Sequence, residues 1–255
     1  MSIDLNDVQG GHASFQLGPI TTQIATGQLT ALIGPNGCGK STLLNMIAGV
    51  LPQTGRIAIG GLDVAQTPRR TLAKHVTLLA QNPVVPPAIS VEQLVHYGRA
   101  PHQNMFGMRS SADVQIVGDA MDAAGISDLK DRKLSQISGG QRQRVFIAMG
   151  IAQDTPYLLF DEPTSFLDIR FQYETLDLLA ALTRRGKTCV VVLHDIAQAA
   201  RYADTLIVMG EGRMLAKGTP RDVVTSGLIR DVYGLKVRVY DDPETGTPVM
   251  TPCVI

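Results

Sequence analysis

The sequence predicts an α/β fold: a mainly parallel sheet core, an antiparallel β element near the N-terminus, and an inserted α-helical subdomain. Three observations predict it. Short β-rich runs alternate with helical segments, as a parallel sheet with helical crossovers requires. Several runs are apolar almost throughout, the mark of strands covered on both faces. Between Gln81 and Ser138 the strand signal disappears and helical patterns replace it.

Ile3–Val8 alternates apolar and polar residues, which suits an antiparallel strand with one wet face. The runs Gln28–Ile33, Arg56–Ile59, Val76–Ala80, Tyr157–Phe160, Thr188–Leu193 and Thr205–Met209 supply the strands of the mainly parallel sheet. Val91–Gly98 and Ala112–Ala124 read as helices, the second begun by Ser111 as N-cap. Asn82-Pro83, Pro86-Pro87 and Pro101 punctuate this segment with loops that could hinge. Thr219-Pro220, a cap followed by Pro in the first turn, opens a short helix, and the tail beyond it carries Pro243, Gly246, Pro248 and Pro252. The expected division is 1–84 and 141–225 for the sheet core with its antiparallel element, 85–140 for the helical subdomain, and 226–255 for the tail.

Composition narrows the function classes. At 255 residues and 44% hydrophobic content the chain can fill one large core with a smaller lobe. Lys plus Arg and Asp plus Glu are both 23, so the summed charge gives no reason to expect nucleic acid or an anionic membrane as partner. The absence of Trp and the 5% aromatic content leave little for a base-stacking platform. No Lys or Arg precedes Lys40, so neither a secretory signal nor a transit peptide is expected. Apolar runs such as Val190–Leu193 fall far short of the roughly 20 residues that span a bilayer, so membrane association must come through a partner. Cys38, Cys189 and Cys253 form no CxxC pair and suit a reducing, cytosolic setting.

Chemistry enters with Gly34-Pro35-Asn36-Gly37-Cys38-Gly39-Lys40-Ser41, which matches GxxxxGK[ST], follows a predicted strand and opens a helix whose apolar face includes Leu43, Leu44 and Ile47; with Thr42 these residues are the expected nucleotide-binding set. The glycines let backbone N–H groups turn inward around phosphate oxygens, and the helix N-terminus adds positive potential. Lys40 offers an ammonium to the outer phosphates, Ser41 a hydroxyl for magnesium, and Cys38 is small enough for its place in the loop. Tyr157–Phe160 then delivers Asp161 and Glu162 to the carboxyl edge of the sheet, where ligands of open α/β sheets bind. Asp161 is placed to hold magnesium and Glu162 to polarise an attacking water. A third element, Ser138-Gly139-Gly140-Gln141 before an apolar helical stretch, is another anion site or an ordinary N-cap. As an anion site it is a second cradle in one chain, and the economical reading is that it serves the nucleotide of another copy.

In this order, Gly34–Ser41, Gln81, Ser138–Gln141, Asp161-Glu162, Ser165-Phe166-Leu167-Asp168 and His194 resemble the ATP-binding subunits of ABC transporters over nearly the whole chain. The resemblance implies a P-loop NTPase core of RecA-like type, ATP and Mg2+ as cofactors, and Gln81 as a residue contacting magnesium and water. It implies that Ser138–Gln141 is the signature that meets the other copy's nucleotide in a homodimer, that Asp168 belongs to the loop crossing that interface, and that His194 stands near the γ-phosphate with Glu162 and Gln81 as the catalytic group. Such subunits work at the cytoplasmic face of the membrane with integral-membrane permease subunits, indirectly with a substrate-binding protein, and not with nucleic acid. In one respect the sequence departs from the family: the N-terminal place of the adenine-stacking aromatic falls near Gly11, with His12 and Phe15 as the nearest substitutes.

Within the family, Leu79–Asn82, Tyr97–Gln103 and the tail segments Asp241–Pro243 and Gly246–Pro248 resemble the ATPases of ferric-siderophore importers, with haem and cobalamin importers related. The first two flank the lobe where family members receive their permease, and Arg99 and His102 read there as surface groups. A soluble ABC ATPase acting on nucleic acid or ribosomes typically shows a long coiled-coil insertion or a second cassette, and neither is visible. A small-molecule kinase would not need Ser138–Gln141.

Overall fold

A computed structural model describes residues 2–12, 15–81, 83, 85–86, 88–103 and 110–253. In chain order, β1 (Ser2–His12), β2 (Phe15–Ala25), β3 (Leu29–Ile33), α1 (Lys40–Ile47), β4 (Gln53–Ile59), β5 (Leu62–Asp63), α2 (Arg69–Leu72) and β6 (Val76–Leu79) precede three lobe helices. These are α3 (Val91–Tyr97), α4 (Ser111–Ala123) and α5 (Gly139–Ala152). The chain returns to the core through β7 (Tyr157–Asp161), α6 (Ile169–Arg184), β8 (Thr188–Val192), α7 (Ile196–Tyr202), β9 (Thr205–Gly210) and β10 (Arg213–Gly218). It closes with α8 (Pro220–Val223), α9 (Ser226–Tyr233) and the hairpin β11 (Val237–Asp241) and β12 (Pro248–Pro252).

Among the described residues the central sheet runs β10-β9-β3-β8-β7-β6, parallel except for β10. Every residue of β3, β7 and β8 is buried, as apolar strands covered on both faces should be. One face packs on helices: Leu29, Ala31 and Ile33 of β3 share a cluster with Leu176 and Leu179 of α6. Leu32 of the same strand points the other way, into a cluster with Ile3, Leu5, Ile20 and Leu43 that joins the sheet to α1 and the second sheet.

That second sheet, ordered β2-β1-β4-β5, is antiparallel and carries the alternating segment predicted at the N-terminus. Arg56–Ile59, expected in the parallel sheet, belongs here instead. Gly60 and Gly61, both at positive φ, turn the chain so that Leu62 pairs with Ile59. A turn this short can join only antiparallel neighbours, because a parallel partner needs a crossover of a dozen or more residues.

The helical lobe holds Leu94, Val95, Val117, Met121, Val145 and Phe146 in its interior. Ser110, not Ser111, caps α4: its Oγ accepts the Asp113 N–H at 3.1 Å while Asp113 Oδ2 accepts the Ser110 N–H at 3.1 Å. The reciprocal box needs a side-chain acceptor three residues after the cap. Asp113 provides it for Ser110, whereas Ser111 would face Val114. Arg99 and His102, expected at the surface as docking groups, face inward. The buried Arg99 donates from Nε to Asp113 Oδ1 at 2.8 Å and from its terminal nitrogen to Ala152 O at 2.8 Å, and a His102 ring nitrogen lies 2.8 Å from Gln153 O. A buried guanidinium is tolerated because these acceptors replace its water. The hydrogen bond from Arg99, with that from Ser110, holds the Asp113 carboxyl at about 2, well below the usual carboxylate range.

α5 runs unbroken across residues 140 and 141, where the sequence reading places the boundary between helical subdomain and sheet core. Thr219 caps α8 with Pro220 in the first turn, as its sequence predicts. Of the expected hinge positions, Pro83, Pro86 and Pro101 are described, while Asn82 and Pro87 lie outside the described residues. No helix among the described residues is long and apolar enough to cross a membrane.

Candidate functional site

The loop after β3 is shaped by three glycines at positive φ, Gly34, Gly37 and Gly39. Gly34 has φ +148°, and an added Cβ would sit 2.1 Å from Met209 O. Gly39, at φ +102° and N-cap of α1, leaves no room either: a Cβ there would lie 2.8 Å from the Phe15 ring. Lys40 is buried, and its Nζ crosses the loop to donate to Gly34 O at 2.8 Å and Pro35 O at 2.9 Å. Cys38 is also buried, its Sγ 3.8 Å from that ammonium. Asn36, Gly37 and Thr42 line the mouth of the loop.

Strands β6, β7 and β8 are adjacent and parallel, with Leu79, Phe160 and Val191 in register. Residues just past these strand positions therefore meet at one carboxyl edge. Glu162 is the hub: Oε1 lies 2.6 Å from His194 Nε2, and Oε2 accepts from Gln81 Nε2 and, at 2.9 Å, from Ser165 Oγ. Beside it Ser41 Oγ donates to Asp161 Oδ1 at 2.8 Å, linking the Gly34–Ser41 loop to β7. Burial pushes the Asp161 carboxyl up, and the Ser41 hydrogen bond opposes that shift. Glu162 itself adopts φ +52°, a left-handed conformation that turns its side chain off the strand axis.

Lys40, Ser41, Gln81, Glu162 and His194 line a single cleft of about 660 Å3. Phe15 lines it too, and the side chain of His12 lies outside the described residues. The place near Gly11 is closed to an aromatic, since a Cβ there would come 2.0 Å from Phe15 O.

Ser138 is the N-cap of α5, so the ordinary capping reading is realised: its Oγ accepts the Gln141 N–H at 3.3 Å and Gln141 Oε1 accepts the Ser138 N–H at 3.0 Å. The first amides of a helix have no intrahelical acceptor, so a cap of this kind leaves Gly139 and Gly140 able to donate outward. Gly140 also allows α6 to approach, because a Cβ would meet the Phe171 ring at 3.0 Å. Among the described residues none of Ser138–Gln141 lines this cleft; Gly139 lines an adjoining groove of about 390 Å3 instead. Cleft and groove meet at Gln81, Ser165 and Phe166. Phe166, at φ +62°, is 93% exposed, and Asp168 stands exposed at the N-cap of α6.

The sequence missed Ser165 as a partner of Glu162; the local signal is the tight turn in which Ser165 N–H donates to Glu162 O at 3.2 Å. For a cation, the oxygens of Asp161, Ser41 and Gln81 are hard donors, with one carboxylate directly beside the phosphate loop. Among the described residues no three His, Cys, Asp or Glu side chains form a metal cage. Such a sparse set fits Mg2+, which keeps waters and shares phosphate oxygens.

Comparison with known proteins places these features in context. A family model for ABC transporters matches residues 17–165. The ferric enterobactin transport ATP-binding protein FepC of Escherichia coli (strain K12) is 45% identical over 235 residues, covering 91% of this chain and 87% of that protein. Among solved structures, an inward-facing ABC transporter described as metal-chelate type aligns with TM-score 0.86 at 27% identity, over 99% of this chain and 98% of that one. A dimeric ATP-binding cassette in a post-hydrolysis state with ADP and Pi aligns with TM-score 0.73 at 27% identity, over 85% of this chain and 98% of its own.

Proposed function

The chain belongs to the ABC transporter family as an ATP-binding, ATP-hydrolysing subunit, and on that premise we propose that it drives uptake of an iron(III)-siderophore chelate through a separate permease. The observation that carries the chemistry is the meeting of Gln81, Glu162 and His194 beside the Ser41–Asp161 pair. The substrate class is supported by the 45% identity to a ferric enterobactin system.

In this reading Gly34–Thr42 wraps the phosphates, with Lys40 turning from the loop carbonyls to the outer ones. Ser41, Asp161 and Gln81 would hold Mg2+, which when bound would neutralise developing phosphate charge. Glu162 orients and deprotonates the attacking water, and His194, on the other carboxylate oxygen, fixes the orientation of Glu162 and faces the terminal phosphate. Two copies pair head to tail, so that Ser138–Gln141 of each closes on the other's phosphate loop and Asp168 lies at the shared interface. The chain works at the cytoplasmic face of the membrane, held there by its permease, with a substrate-binding protein delivering the chelate. Residues 1–84 with 141–225 act as the catalytic core, 85–140 as the lobe that follows the permease, and 226–255 as a tail.

Co-purification with the permease tests the transport reading. ATPase activity of the complex in membranes is expected to rise several-fold with a ferric siderophore and its binding protein, and not with haem or cobalamin. Stimulation by cobalamin or haem alone would move the substrate to that class.

Phe15 is the base-stacking residue in this reading, because its ring lines the cleft next to Gly39. Phe15→Ala is expected to weaken MgATP and MgGTP binding about fivefold to tenfold alike, roughly 1 kcal/mol of stacking. Titration with both nucleotides checks it; unchanged affinity for both would remove Phe15 from the base site.

A further inference from the structure

The turn Gly98–Gln103 lines neither the cleft nor the groove, yet it is gripped from two sides. From the lobe, it lies flush on the last turn of α5: a Cβ on Gly98 would sit 2.1 Å from Met149 O. The last carbonyls of a helix lack intrahelical donors. Here Arg99 donates to Ala152 O, and a His102 ring nitrogen meets Gln153 O, both at 2.8 Å. The turn is therefore the C-terminal cap of the helix whose other end is Ser138–Gln141.

From the core, Arg70 on α2 reaches across to the same turn. Its Nε donates to Pro101 O at 3.1 Å and a terminal nitrogen donates to Gln103 O. Gln153 makes a parallel link, with Nε2 donating to Ala73 O at 2.7 Å and Val76 O at 3.2 Å. Arg70 thus ties the α2 corner of the core to the clamp on α5 while remaining exposed and away from the cleft-lining residues.

We propose that Arg70 is a positioning residue for the shared nucleotide site: by holding the Pro101 and Gln103 carbonyls it sets the angle at which α5 presents Ser138–Gln141 to the second copy. The inference rests on the paired-site reading above. At 1.5 Å per residue α5 is about 21 Å long, so a tilt of about 5° at its clamped end moves the signature end by about 2 Å. Displacements of about 1 Å at a reacting centre can cost two orders of magnitude in rate.

The test uses Arg70→Ala and Arg70→Lys. Spin labels on Val50→Cys and Val114→Cys, both exposed, report the core-to-lobe distance in a Cys253→Ser background, since Cys38 and Cys189 are buried. In the single chain, Arg70→Ala is expected to broaden the distance distribution about twofold and Arg70→Lys to restore much of it, because an ammonium can still bond one carbonyl. Turnover of Arg70→Ala is expected to fall about fivefold or more, with the Kd for MgATP and the thermal midpoint near parental values. Parental width and turnover in Arg70→Ala would overturn the proposal. So would a loss of turnover matched by losses in nucleotide binding and thermal midpoint, which marks a merely structural role. If the parent fails to pair with MgATP, the paired site itself is wrong, and the label distances still decide whether Arg70 holds the lobe.

Discussion

Replacing Glu162 by Gln is expected to leave MgATP binding within about twofold of the parent and to slow turnover by a factor on the order of 100 or more. The amide keeps the shape of the side chain, and one carbonyl oxygen can still accept from either His194 or the Gln81 and Ser165 pair. It cannot accept on both sides, and it is a poor base toward water. Since Lys40, Ser41 and the loop glycines are untouched, the loss should sit in kcat, with the Kd for nucleotide preserved. Single-turnover hydrolysis beside equilibrium titration separates the two. Near-parental single-turnover rates would move the base elsewhere.

The parts of this site that were legible in the sequence are those where chemistry and local geometry share a few consecutive residues. Gly34 to Ser41 specify a strand-to-helix turn within one short run, and Tyr157 to Glu162 place two carboxylates at a strand end by apolarity alone. Other features depend on residues far apart. Arg99 is buried because Asp113 and Ala152 O receive it, and Ser110 caps α4 because Asp113 answers it. Neither fact is written in the seven residues Tyr97–Gln103 themselves. The strand β2 is not legible in the sequence because Gly18-Pro19 interrupts it, which an edge strand tolerates and a central one does not. Arg56–Ile59 has the composition of a core strand, and the turn that decides its partner lies one residue beyond it. Phe15 is suggested in the sequence only by its distance along the chain from Gly34, while its place in the cleft follows from the β1–β2 pairing, in which it lies opposite His12.

Mixing two inactive variants is expected to return activity. Ser138→Arg removes the cap of α5 and puts a long side chain in place of a small hydroxyl, so that end can no longer close on the other copy's phosphate loop. Lys40→Ala removes the ammonium buried in the phosphate loop. Each variant alone forms pairs in which both sites carry one defect, and turnover should be nearly abolished. In a mixed head-to-tail pair, the Lys40→Ala loop faces the Ser138→Arg signature, so one site collects both defects and the other neither. Random association makes about half the pairs mixed, each with one intact site, so roughly a quarter of parental activity should return if the two sites act independently. Titrating one variant into the other at fixed total concentration should therefore give a maximum near equal amounts. A flat line has two meanings, which ATP-dependent pairing separates: Glu162→Gln should become dimeric by light scattering at saturating MgATP, since nucleotide held at the interface stabilises the pair by mass action. A flat line with a dimeric Glu162→Gln means that the two sites must fire together. A flat line with Glu162→Gln monomeric at saturating MgATP, alone and with the permease, means that Ser138–Gln141 does not complete the partner's site.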